Sequence, residues 1–159
     1  MRARGKWPGF RRDWIGFGNR AGFADRFQVR QTLGYVSLIV RDYDEAIQWF
    51  TGMLGFRLVE DTDLGGGKRW VLVAPPGSAE TRLLLAQAKN DREKAGIGQQ
   101  GFGRVWLFLH TDDFARDHAA MLAKGVRFLE APRHESYGTV AVFEDLYGNK
   151  WDLLRLNAP

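Results

Sequence analysis

Cysteine is absent from the 159 residues. That excludes a disulfide framework, thiolate metal sites and a cysteine nucleophile together. Also absent is any apolar run near the ~18 residues needed to span a bilayer. The opening segment, MRARGKWPGF, lacks the apolar core of a secretory signal. A cytoplasmic protein with no membrane partner is the expectation. What is present is ordinary: 45% hydrophobic and 26% charged residues, in a chain close to the commonest domain size. Collagen-like and disordered classes are excluded, and the chain is long enough to bury a core.

The net charge of +4 hides an asymmetry. Residues 1–32 hold eight basic side chains against Asp13 and Asp25, a net +6, and the remainder is mildly acidic. We read 1–32 as a basic N-terminal extension. Its Phe10, Trp14, Phe17, Phe23 and Phe27 are unusual for a solvated tail and could pack on the body or on a second copy. A basic arm also raises nucleic acid as a partner, which would show as steep salt dependence. Nucleic acid is not the expected partner.

The body reads as strands and helices in a repeating order. Tyr35 to Val40 is rich in β-branched residues and predicts a strand. Asp42 stands at a helix N-cap, and Ala46, Ile47, Phe50, Met53 and Leu54 follow at helical spacing until Gly55. Strands are expected at 56–60, 68–74 and 82–87, separated by the glycine turn 65–67 and by Pro75-Pro76-Gly77. Residues 89–103 are polar and glycine-rich, with room for a short helix, and read as a linker. The order then restarts. A strand covers 105–111, and Asp112 or Asp113 caps a helix ending at Gly125. Strands are expected at 126–130, 139–144 and 150–156. Placing Asp42 on Asp113 pairs Tyr35 with Trp106, and Gly55-Phe56-Arg57-Leu58-Val59 matches Gly125-Val126-Arg127-Phe128-Leu129. The expectation is an α+β fold of two tandem βαβββ modules, one at 33–88 and one at 104–157, within a single domain at 33–157.

Tyr35-Val36-Ser37-Leu38-Ile39-Val40-Arg41-Asp42, Phe50, Leu54-Gly55-Phe56, Tyr137-Gly138 and Asp145-Leu146-Tyr147-Gly148-Asn149 resemble the vicinal oxygen chelate superfamily. That group includes glyoxalase I, extradiol dioxygenases, fosfomycin-resistance enzymes and bleomycin-resistance proteins. The resemblance implies a curled mixed sheet around a small-molecule cup, and commonly a homodimer, sometimes with modules exchanged between chains. It also implies a divalent metal held by His, Gln or Glu on the first and last strands of the modules. At the implied positions this chain has Tyr35, Trp106, the run Leu83-Leu84-Leu85, and Asp152. A phenol titrates near ~10 and an indole has no lone pair for a metal. No metal or other cofactor is therefore expected.

Strand alternation extends the candidate cup to Tyr35, Ser37, Trp106, Phe108, His110 and Asp152, an aromatic lining with a few polar groups. His110 is either a general base tuned by Asp152 or a lining histidine satisfied by one hydrogen bond. Asp152 either meets a ligand or pairs with an arginine. His118 is expected to face solvent, and His134 to lie in a polar connection. Gly65-Gly66-Gly67-Lys68 lacks phosphate-loop spacing and reads as a hairpin turn. These residues point to a metal-independent protein binding a small organic molecule. The alternative is a lyase or dioxygenase of the same superfamily with an atypical ligand set.

Overall fold

The computed structural model describes residues 31–158. All but the last two residues of the expected basic extension lie outside them. The elements are β1 (Tyr35–Val40), α1 (Tyr43–Met53), β2 (Arg57–Asp63), β3 (Arg69–Ala74), β4 (Arg82–Gln87) and α2 (Asp91–Ala95). They continue with β5 (Val105–His110), α3 (Phe114–Ala123), β6 (Arg133–Glu135), β7 (Gly138–Glu144) and β8 (Lys150–Leu156).

Local chemistry sets the helix ends. The extended Asp42 accepts from the Glu45 amide at 2.9 Å, and Asp113 accepts from the Arg116 amide at 3.0 Å. Each bond satisfies an amide that the first turn leaves unpaired. Gly55 and Gly125 follow the two helices at φ 69° and 87°, a region costly for side-chain-bearing residues.

The strands form two four-stranded sheets, ordered β1-β4-β3-β2 and β5-β8-β7-β6. In each, the first and last strands of the module pair in parallel and the rest antiparallel. Identical order and polarity in both halves establish the duplicated α+β fold. Two strand expectations are corrected. The second strand runs to Asp63, because a sheet edge tolerates the charged Glu60, Asp61 and Asp63. Residues 126–130 make only a single bridge, Phe128 to Phe143. There the Glu130 carboxylate, not a backbone carbonyl, accepts from the Val142 amide at 3.1 Å. Pro132 has no amide to donate, so regular pairing resumes only at β6.

One apolar core joins the helix-covered sides of both sheets. Leu38, Val40, Val71, Val73, Leu83 and Leu85 contribute from sheet one, and Ala141, Phe143, Trp151 and Leu153 from sheet two. Helix α1 bridges them: Phe50 lies 6.1 Å from Trp151 between ring centres. Burial of this kind is worth roughly 25 cal/mol per Å² of apolar surface.

A polar network stitches the modules together. Buried Asp145 accepts from the amides of Tyr147 and Asn149, from Asn149 Nδ2 and from Trp151 Nε1. Asn149 Oδ1 in turn accepts from the Gln100 amide at 3.1 Å. The Gln100 side chain then accepts from Ile39 N at 2.7 Å and donates to Ser37 O at 2.9 Å. An amide side chain thus supplies one rung along the outer edge of β1. The linker passes so close to the Tyr147 turn that a Cβ at Gly98 would lie 2.0 Å from the Tyr147 carbonyl oxygen.

Candidate ligand-binding site

Each sheet has a second face, opposite the helices, and register assigns its residues. On sheet one, Ser37 pairs with Leu84, and Leu84 with Leu72. Tyr35 meets Trp70 edge-to-face at 5.8 Å. On sheet two, Phe108 pairs with Asp152, Asp152 with Val142, and His110 with Leu154. Tyr35 is 48% and Phe108 59% exposed, so both faces present aromatic surface, although Leu72 and Leu154 on the same faces are buried.

The six candidates therefore divide. Tyr35 and Ser37 stand on the open face of sheet one, and Phe108, His110 and Asp152 on that of sheet two. Among the described residues no hydrogen bond, ion pair or ring contact joins the two groups. Trp106 is on neither face. The β5–β8 register slips between Val105 and Leu107, leaving Trp106 as the extra residue of a bulge. Its ring meets Trp151 edge-on at 6.1 Å and packs against the core. The expectation that Trp106 shares a face with Phe108 fails because one inserted residue inverts the alternation.

Asp152 is the polar centre of the sheet-two face. Its Oδ1 is enclosed and has no hydrogen-bond partner. Burial pushes its carboxyl above the ordinary aspartate value; Arg133 opposes this and Glu130 adds to it. Arg133 is itself held by Glu130 and Glu135. Sequence reasoning missed Arg133, Glu130, Trp70 and Val142. Alternation with the core residues Val71 and Val73 was the available signal for Trp70. Nothing local signals Glu130 or Arg133, because tertiary pairing brings them beside β7 and β8.

The remaining candidates have structural roles. His118 is half-buried rather than fully solvent-facing: it stacks on Phe114 at 5.4 Å and meets Phe128 at 4.3 Å. His134 Nδ1 lies 3.1 Å from Thr139 Oγ1. Asp112 pairs with Arg116. Gly65, Gly66 and Gly67 all have positive φ in the β2–β3 turn.

A cavity of about 450 Å³ lies between the end of α1, the Pro75–Gly77 turn, β5 and α3, and of the six candidates His110 lines it. Its walls include Met53, Phe56, Leu109, Met121 and Leu153. On its charged rim, Arg116 is already paired with Asp112 and Asp117.

The donors at the metal positions implied by the family resemblance do not fit a divalent ion. Tyr35 offers a phenol, Trp106 turns its indole to the core, and Leu84 is the sheet-one counterpart of Asp152. One carboxylate remains, against the three or four donors such sites use.

A duplicated βαβββ fold, with an aromatic open face on each sheet, defines a protein of the vicinal oxygen chelate class. The chain belongs to the Glyoxalase/Bleomycin resistance protein/Dioxygenase superfamily, whose sequence profile matches residues 32–153. It is 52% identical over 130 residues to an uncharacterized protein of Shewanella frigidimarina, covering 81% of this chain and 96% of that one. The crystal structure of UcmS2 is similar with a TM-score of 0.70 at 26% identity, covering 79% of this chain and 98% of that one. That of TnmS3, an antibiotic binding protein from Streptomyces sp. CB03234, is similar at 0.65 and 27% identity, covering 82% and 99%.

Proposed function

We propose that this protein binds a small organic molecule on its open sheet faces and does so without a metal. The observation that carries the reading is the side-chain set on those faces. It combines exposed aromatic surface at Tyr35 and Phe108 with a carboxylate at Asp152, one oxygen of which is enclosed, and no cluster of His, Asp and Glu able to hold a metal occurs among the described residues. Aromatic walls with a few convergent polar groups are the usual make-up of organic-ligand sites. Similarity to TnmS3, an antibiotic binding protein, supports binding of a small organic molecule. Phe108, His110 and Asp152 form one half of the site in this reading, and Tyr35 and Ser37 the other.

The two candidate groups, which no hydrogen bond, ion pair or ring contact joins among the described residues, are brought together most simply by a second copy, so the proposed working form is a homodimer. A cytoplasmic location is part of the same proposal. No helix among the described residues is long and apolar enough to cross a membrane.

Metal analysis of the full chain, purified without chelator, tests the central claim. Substoichiometric metal is expected. One equivalent of a divalent metal, lost in Asp152→Ala, would overturn metal-independent binding and restore the lyase or dioxygenase alternative.

A further inference from the structure

Asp152 Oδ1 is shielded from solvent and has no hydrogen-bond partner. The charged groups near it are already engaged. Arg133 donates to both Glu130 and Glu135, and Glu130 also accepts from the Val142 amide. One guanidinium thus serves two carboxylates and makes no hydrogen bond to Asp152. Asp152, Glu130 and Glu135 leave this part of the face with an excess of negative charge. His110 stands on the same face as Phe108, two residues along β5.

A carboxylate with one enclosed oxygen lacking a donor costs free energy, and a ligand group that meets its other oxygen recovers part of it. A cationic nitrogen recovers the most, because it brings opposite charge and N–H donors together. A hydroxyl recovers less, and an anion meets repulsion. Directly beside Asp152 in register lies Phe108, whose exposed ring offers an apolar wall and a π-face for a neighbouring cation.

We propose that the ligand of this site is an organic cation: an amine or amidine nitrogen held by Asp152, joined to an aromatic or apolar body lying against Phe108. This rests on the small-molecule-binding reading above and specifies its ligand class. The junction cavity gives no comparable constraint, since neither of the enclosed, donorless side-chain atoms among the described residues belongs to its lining.

Calorimetric titration of the full chain with 2-naphthylmethylamine, 2-naphthylmethanol and 2-naphthoate tests the proposal. The three share one aromatic body and differ in charge. The amine is expected to bind about tenfold tighter than the alcohol, and the carboxylate weakest. Asp152→Asn should bring the amine down to the affinity of the alcohol, and Asp152→Glu should keep the preference. Equal binding of amine and alcohol to the wild-type chain overturns the cation assignment while leaving small-molecule binding intact. An amine preference that persists in Asp152→Asn overturns the assignment to Asp152. Absence of binding by all three overturns the inference and the underlying reading together. The wild-type comparison decides even if a variant fails to fold.

Discussion

Two aspartates near each other in sequence carry opposite burdens. Asp145 is buried and receives four hydrogen bonds, from two amides, an amide side chain and an indole. Asp145→Ala strands those donors, so a loss of about 3 kcal/mol is expected in urea unfolding. Asp152 has an enclosed oxygen with no donor, and burial raises its carboxyl pKa. A raised folded-state pKa favours folding below the unfolded value of 3.8. That contribution is lost as pH rises through the folded-state value. At neutral pH the charged form is therefore a burden that Asp152→Asn removes. We expect the variant to raise Tm at pH 7 by about 3 °C, under ~1 kcal/mol for a domain of this size. The gain should vanish as pH falls toward the unfolded value. A gain that persists in acid would show that ionisation is not its source.

At the scale of elements, the bulge in β5 decides which aromatic supports the fold and which is offered to a ligand. Trp106 packs on buried Trp151, whereas Phe108, two residues on, points away from the core. Trp106→Ala should cost about 3 kcal/mol in stability. Phe108→Ala should cost under ~1 kcal/mol and instead weaken binding of an aromatic amine, a split that calorimetry and denaturant titration resolve together. The outer edge of β1 shows a different device. Gln100 supplies the partner for Ile39 N–H and Ser37 C=O that a further strand would otherwise provide. Gln100→Ala should cost about 1–2 kcal/mol and accelerate hydrogen exchange at the Ile39 amide. Unchanged exchange would mean that another group covers that edge.

At the scale of the molecule, the two modules meet through their helix-covered sides, with α1 and the Asp145–Asn149–Gln100 chain between them. The other face of each sheet exposes an aromatic side chain, Tyr35 or Phe108, beside buried residues such as Leu72 and Leu154, and a homodimer is the proposed state. Light scattering on the full chain should give twice the 18.1 kDa chain mass. A monomer would require each face to bind on its own. The sequence alone determined the repeat, both helix caps, both terminal glycines and the membership of most strands. These features depend on contacts within a few residues, and period and capping chemistry express such contacts directly. It also showed that Tyr35, Trp106, leucine and Asp152 stand where the family resemblance implies metal ligands, because side-chain identity fixes donor chemistry. Tertiary structure alone decided where those side chains point. One extra residue opposite Lys150 and Trp151 turned Trp106 inward, and local alternation cannot register such a slip. The Glu130 bond to Val142, which replaces a ladder rung, spans twelve residues of chain. Whether the candidate residues share one cup depends on how the sheets pack, and the core set by Phe50 and Trp151 leaves Tyr35 and Asp152 on separate faces.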